Sequence, residues 1–231
     1  MSYALLIPAA GKGERFGGEL PKALTPVNGK PLIWWSLKCF VQDSRLEEVS
    51  IAAPDEYISA IAESVGDFVE IVRISVISGG LTRQDSVGQA LFNLKSGADN
   101  VLVHDAARPA ISRDVIDRVV EGLDHNVAVV PGLPVTDTVK RVDKNLTVRE
   151  TLNREVLFAV QTPQGIRLRE FQRAHRMAKE HQIQCTDDAA LIEYFQLGSV
   201  KVVFGDPQNI KLTLPHDLPR VETFLRDIPS N

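Results

Sequence analysis

The chain has 231 residues and a formal net charge of -4 (26 Lys+Arg against 30 Asp+Glu), with 44% hydrophobic residues. This composition excludes intrinsic disorder, a collagen repeat and a coiled coil, and a chain of this length can bury a core without disulfide or metal staples. The mild acidity argues against a general nucleic-acid surface, and the longest apolar runs are strand-sized, well short of a membrane span.

Short apolar segments alternate with helical patterns along the chain. Residues 3–7 read as a first strand, 31–40 as a helix, 48–53 as a strand and 56–65 as a helix. A strand at 70–77, a helix at 82–94, a strand at 100–104, a helix at 112–123 and a strand at 126–130 follow. Helices at 168–181 and 187–195, a strand at 200–204 and a last helix at 215–226 complete the pattern. Ser112 and Thr186 are placed as N-caps. The strands are apolar on both faces, as buried parallel strands are. Repeated βα units imply right-handed crossovers and an α/β fold with a mostly parallel sheet covered on both sides. Ligands of such sheets sit beyond the carboxyl ends of the strands. Residues 136–150 break the alternation with two β-rich stretches around Asp143-Lys144-Asn145 and few core-forming residues. They read as a projecting hairpin arm, spanning about 134–157 with its stalk. No linker, repeat or low-complexity tract divides the chain, so one domain, 1–231, with an arm is expected.

The first strand runs into Pro8-Ala9-Ala10-Gly11-Lys12-Gly13-Glu14-Arg15-Phe16-Gly17, followed by Pro21-Lys22. Small residues after a strand let backbone amides approach a phosphate or a base edge closely. The spacing is neither the dinucleotide fingerprint, since Phe16 stands where the third glycine belongs, nor a P-loop. It leaves a glycine loop carrying Lys12, Arg15 and Lys22, a composition suited to a triphosphate, although a plain βα loop can look the same. Gly79-Gly80-Leu81-Thr82-Arg83-Gln84-Asp85-Ser86-Val87 follows another strand, with Ser86 one turn into a helix and facing back; a capped turn without a ligand has the same signature. The strand ending His104-Asp105 puts a carboxylate at the sheet's carboxyl edge, where magnesium held on phosphates would sit. Arg108 can pair with that Asp or with a phosphate. His104 points the opposite way and reads as a packed strand residue. Lys211, Arg154, Thr138 and Thr186 are uninformative alone.

Taken in order, P-A-A-G-x-G-x-R, P-K, G-G-x-x-R-x-x-S-V, H-D-A-A-R-P, V-x-D-T, N-R, Q-T-P-Q, T-D-D and N-I-K-x-T resemble the 2-C-methyl-D-erythritol 4-phosphate cytidylyltransferases over about residues 3–217. The resemblance implies a three-layer, Rossmann-like nucleotidyltransferase fold. It also implies cytidylyl transfer from CTP to methylerythritol 4-phosphate with Mg2+ or another divalent cation, in isoprenoid precursor synthesis. Under it, Ala9, Ala10, Gly80 and Ser86 match positions holding the cytosine and ribose, and Gly11, Gly13, Arg15 and Lys22 match the triphosphate loop. Asp105 matches the carboxylate near metal and nucleotide, while Arg108, Thr186 and Lys211 match substrate-side positions. Arg15, Lys22 and Lys211 carry the catalytic charge. Thr138 and Arg154 match residues that reach the substrate from a partner's arm in a homodimer. Two departures stand out: Leu81 lacks the polar side chain of some relatives, and Asp206 is unassigned as a second metal carboxylate.

Ribitol-5-phosphate cytidylyltransferases share the loops but read A-G-G and H-D-S-V-R-P at the first loop and the Asp. A non-catalytic nucleotide-binding module on the same scaffold is the alternative from another class, since fold does not fix function. The length leaves no space for a fused cyclodiphosphate synthase. The two cysteines, Cys39 and Cys185, form no C-x-x-C or Cys/His cluster, and Met1-Ser2 leads straight into a strand rather than a signal peptide. Both fit a cytoplasmic protein without nucleic-acid or membrane partners.

Overall fold

A computed structural model of the protein describes residues 1–11 and 20–226. β1 (Tyr3–Pro8) is followed by β2 (Pro26–Val27), β3 (Lys30–Pro31), α1 (Leu32–Val41), β4 (Leu46–Ala53), α2 (Ile58–Ser64), β5 (Arg73–Ser78) and α3 (Arg83–Asn93). Then come β6 (Asn100–Val103), α4 (Arg113–Gly122), β7 (Ala128–Pro134), β8 (Lys140–Val142), β9 (Val148–Thr151), β10 (Phe158–Val160) and β11 (Gln164–Arg167). The chain continues through α5 (Leu168–His181), α6 (Ala189–Tyr194), β12 (Val200–Phe204) and α7 (Leu218–Leu225).

The alternation of β1 sets the layers. Tyr3, Leu5 and Ile7 point into a core shared with Leu32, Ile61, Ile116 and Val221, from α1, α2, α4 and α7. Ala4 and Leu6 point into a second core with Leu91, Phe171 and Ile192, from α3, α5 and α6. A strand with apolar residues on both faces has to be covered on both, and the result is helix, sheet, helix. β6, β1, β4 and β5 lie side by side and parallel, so their carboxyl ends share one edge of the sheet. β12 is parallel to β7.

Besides the two-residue pair β2 and β3, two strands of the main sheet were not expected. β11 runs antiparallel between β6 and β7, and β10 runs antiparallel on β7. Pro163 and Gly165 hide them in the sequence, because both residue types are depleted in strand interiors. Here Gly165 admits a helix: a Cβ on it would lie 2.7 Å from Val119 Cγ1 and 3.0 Å from Leu123 Cδ1.

Three local expectations are corrected. Residues 70–72 are not strand, since the amides of Ile71 and Val72 are spent on the Phe68 carbonyl in a turn. Ser112 stands at the N-cap of α4 as expected but makes no side-chain cap bond; its hydroxyl donates to Asp206 Oδ2 at 3.0 Å. Thr186 does not cap α6, which starts at Ala189. Asp187 Oδ1 instead accepts the Ala190 amide.

The hairpin forms as read. β8 and β9 pair antiparallel with every strand residue exposed, and Asp143 Oδ1 accepts the amides of Asn145 and Thr147 in the turn. Its stalk leaves and rejoins the sheet at paired residues, Pro134 and Phe158.

His104, just past β6, is fully buried against Phe40, as its strand parity required. Its Nε2 lies 3.0 Å from the Arg108 carbonyl, which accepts only, so Nε2 carries the proton. Nδ1 then accepts from the Thr162 hydroxyl at 3.1 Å, and Thr162 Oγ1 accepts the Asp105 amide at 3.1 Å. Burial pushes the imidazole down to about 4, and does the same to buried His175.

Two predictions follow from these contacts. Gly165→Ala should destabilise the protein by about 1–3 kcal/mol through overpacking, read as a lower urea midpoint at unchanged slope; an unchanged midpoint would show that α4 yields freely. Both histidines are neutral when folded and take up protons more readily when unfolded. Stability is therefore full above about pH 6.5 and declines as pH falls toward the folded values. Urea midpoints should fall between pH 6.5 and 5, and His104→Gln should flatten part of that slope. An identical slope in the variant would contradict the buried neutral imidazole.

Candidate active site

Three loops leave the common carboxyl edge of the sheet and enclose a cleft of about 840 Å³. Ala9, Ala10 and Gly11 come from the end of β1, Gly80 to Arg83 from the turn after β5, and Asp105 to Ala107 from the end of β6. Lys22 and Lys211 complete the lining. The structure thus brings together Ala9, Ala10, Gly11, Lys22, Gly80, Ser86, Asp105 and Lys211 from the residues predicted from sequence. Lys12, Gly13 and Arg15 lie outside the described residues.

The first two loops touch because a glycine lets them. A Cβ on Gly79 would fall 2.3 Å from Ala10 Cβ, so any side chain there would wedge the loops apart. Thr82 and Asp85 form a reciprocal capping box at the start of α3. Ser86, one turn in, accepts the Gly80 amide at 3.0 Å and donates to the Thr82 carbonyl at 2.9 Å, fixing the turn. The Leu81 side chain is fully exposed at the rim. Polar recognition by that residue is therefore left to its backbone.

Asp105 lies on the cleft floor, 7% exposed. Its Oδ1 accepts from Nε and Nη2 of Arg83, both at 3.2 Å. Lys211 Nζ is 2.8 Å and Arg108 Nε 3.7 Å from its Oδ2. Burial alone would push the carboxyl up. The charges of Arg83, Lys211 and Arg108 outweigh it and hold the group well below the usual carboxylate range. Arg108 also donates to the Asn209 carbonyl at 2.7 Å, so its side chain braces the floor of the cleft. Lys22 Nζ donates to the Leu212 carbonyl at 3.0 Å and the Thr213 carbonyl at 3.4 Å, tying the first loop to the segment that carries Lys211.

The sequence left two residues of this cluster without a role. Arg83 Nη2 also reaches Asp188 Oδ2 at 2.7 Å. Burial raises the Asp188 carboxyl, with Arg83 opposing, while Asp188 and Asp105 hold the guanidinium charged against burial. The available signal was Arg83 itself, a cation in the first turn of a helix, where the macrodipole disfavours it. Gln164 secures the opposite side: its Oε1 accepts the amides of Asp188 and Ala189, and its Nε2 donates to Asp187.

Asp206, unassigned from sequence, spends its carboxylate on Ser112 and on the Gln208 amide. Thr186 is exposed beside the Asp187–Asp188 turn and does not line the cleft. Thr138 and Arg154 are exposed on the arm, away from this chain's own cleft, with Arg154 Nη1 donating to the Thr136 carbonyl. Among the described residues no group of three His, Cys, Asp or Glu side chains converges to hold a metal, and no helix is long and apolar enough to cross a membrane.

Comparison with known proteins gives the family. The sequence profile of the 2-C-methyl-D-erythritol 4-phosphate cytidylyltransferases matches residues 3–227. A protein of that name from Prochlorococcus marinus subsp. pastoris is 40% identical over 223 residues, covering 96% of this chain and 99% of that one. The crystal structure of 2-C-methyl-D-erythritol 4-phosphate cytidylyltransferase from Thermus thermophilus superposes with a TM-score of 0.79 at 33% identity, covering 98% of this chain and 100% of that one. The 4-diphosphocytidyl-2C-methyl-D-erythritol synthase from Anaerococcus prevotii gives a TM-score of 0.83 at 27% identity over 97% and 98% of the two chains. With the ordered motifs, the three-layer fold and the cationic cleft at the parallel edge in agreement, the chain belongs to the 2-C-methyl-D-erythritol 4-phosphate cytidylyltransferase family.

Proposed function

We propose that this protein transfers the cytidylyl group of CTP to 2-C-methyl-D-erythritol 4-phosphate, giving 4-diphosphocytidyl-2-C-methyl-D-erythritol and pyrophosphate in non-mevalonate isoprenoid synthesis. The observation that carries this reading is the meeting of Lys22, Lys211 and Asp105 with the close-packed Ala10 and Gly79 loops at one edge of the sheet. The phosphate of the acceptor is already an anion near neutral pH, so the reaction needs no strong general base. An acceptor phosphate oxygen forms a bond to the α-phosphorus of CTP, and the bond to the bridging oxygen breaks, its electron pair leaving with pyrophosphate. The difficulty is bringing one anion onto another, so catalysis rests on alignment and charge neutralisation.

Lys22 and Lys211 supply fixed positive charge beside the phosphates, and Arg15 is assigned to the same task from the sequence. Ala9, Ala10, Gly80 and Ser86 present backbone and hydroxyl groups to the base and ribose, and Gly11 and Gly13 belong to the triphosphate loop. Arg108 and Thr186 are assigned to the acceptor side from the resemblance, Arg108 bracing the cleft floor and Thr186 lying outside its lining. A divalent cation is expected from the resemblance; the Asp105 carboxylate, held by Arg83 at Oδ1 and by Lys211 at Oδ2, would take it only with CTP phosphates supplying the rest of the shell and Lys211 drawn off Oδ2. Bound there, Mg2+ supplies neutralisation of phosphate charge.

The arm suits a homodimer. Val156 on its stalk, Phe158 and Val160 on β10 and Val202 and Phe204 on β12 expose apolar side chains, with the Phe158 and Phe204 rings 6.4 Å apart. An exposed apolar patch of this kind marks an association surface. In the dimer, Thr138 and Arg154 would serve the partner's acceptor site, with Arg154 gripping its phosphate. The unpaired Cys39 and Cys185 support a cytoplasmic location.

Purified protein with Mg2+ should release pyrophosphate only when CTP and methylerythritol 4-phosphate are both present. Equal or faster turnover with ribitol 5-phosphate would overturn the acceptor, and CTP binding without turnover on either acceptor would mark a binding module. Mixing inactive Arg154→Ala and Lys22→Ala proteins should restore about a quarter of parental activity, because random exchange leaves one intact composite site in each heterodimer. Proven subunit exchange without recovery would place Arg154 outside the partner's site.

A further inference from the structure

Arg83 occupies an unusual place. It is the first residue of α3, it borders the cleft, and its guanidinium is shared by two carboxylates from different loops. Nε and Nη2 both reach Asp105 Oδ1, while Nη2 also reaches Asp188 Oδ2. Asp188 is buried, and its backbone amide is fixed by Gln164 Oε1, whose strand β11 lies hydrogen-bonded against β6. A closed circuit results: β6 carries Asp105, Asp105 holds Arg83, Arg83 holds Asp188, and Asp188 returns through Gln164 to the strand beside β6.

We propose that Arg83 is a positioning residue, which with Asp188 aims the Asp105 carboxylate and fixes the Thr186–Asp188 loop relative to it. The proposal rests on the cytidylyltransferase reading and deepens it. A carboxylate beside only Lys211 and Arg108 would rotate toward them, since both lie on its Oδ2 side. The Arg83 fork holds Oδ1 on the other side and so sets the plane of the group. A lysine at 83 keeps the charge but offers a single nitrogen, which cannot reproduce two directed bonds to one carboxylate and a third to another. Three cations, Arg83, Arg108 and Lys211, stand against the two carboxylates, so the floor of the cleft keeps a positive excess for an anionic ligand. Removing Asp188 would free the guanidinium to leave Asp105 for an incoming phosphate.

The test is a double-mutant cycle, with turnover and CTP affinity by equilibrium titration as its two readouts. Arg83→Gln and Asp188→Asn are each expected to lower kcat about 10- to 100-fold, the usual effect of losing a partner that orients a reacting group. Arg83→Lys should rescue little, and each variant, though lowered in melting temperature by the loss of a buried partner, should still unfold cooperatively above the assay temperature. In the Asp105→Asn background, Arg83→Gln should cost nothing further in either readout, because its influence passes through Asp105. Additive losses would overturn the proposal and make Arg83 a direct ligand contact. Rescue by Arg83→Lys would overturn it in favour of simple charge. If Asp188→Asn does not fold, the Arg83 and Asp105 arms decide alone, since the Arg83 side chain is a third exposed and its loss leaves no buried void. An inactive parent protein would instead sink the cytidylyltransferase reading itself, and this proposal with it.

Discussion

The site depends on one buried carboxylate kept ionised. Asp105 sits at the end of β6 where burial penalises its charge, and three cations from three parts of the chain reverse that penalty. Paired charges of this kind contribute little net stability, because desolvation cancels much of the attraction, yet removing one partner is costly. The constraint therefore acts on arrangement more than on stability. The turn before α3 and the segment bearing Lys211 must both stand where their cations meet Asp105, and Lys22 binds the second of these to the first loop.

The same carboxylate joins chemistry to core. Its amide reaches Thr162, Thr162 reaches His104, and His104 lies among apolar side chains with its tautomer fixed by the Arg108 carbonyl. The Asp105 amide, the Thr162 hydroxyl and both ring nitrogens of His104 each find a partner along this short chain, which is the condition for burying them. Asn209 extends the brace, with its amide on the Thr162 carbonyl and its own carbonyl accepting from Arg108.

Much of this was legible in the sequence. Short segments apolar on both faces and small residues after strands located β1, β4, β6 and the loops of the cleft, and strand parity alone sent His104 inward and Asp105 to the edge. The legible part ends where a residue's role is set by a distant partner. Pro163 and Gly165 disguised β11, because the pattern cannot show that a helix needs the space a side chain would fill. Arg83 and Asp188 stood inside recognised motifs, yet their pairing across 105 positions follows only from the crossing of β11 beside β6. Ser112 had the residue type of a cap, yet its hydroxyl went to Asp206, since a hydroxyl near a helix start is taken by whichever partner lies closest.

The arm offers a last consequence. It departs from Pro134 and returns at Phe158, residues already paired across β7 and β10, with the Val135 amide on the Leu157 carbonyl closing its base. Its entry and exit are thus adjacent points of the sheet, and the entropy of closing such an excursion grows only slowly with its length. The sheet is nearly indifferent to what the arm contains, so folding places little constraint on its sequence or length. The architecture sets a packed body, where most substitutions are felt, beside an appendage that folding leaves free to change.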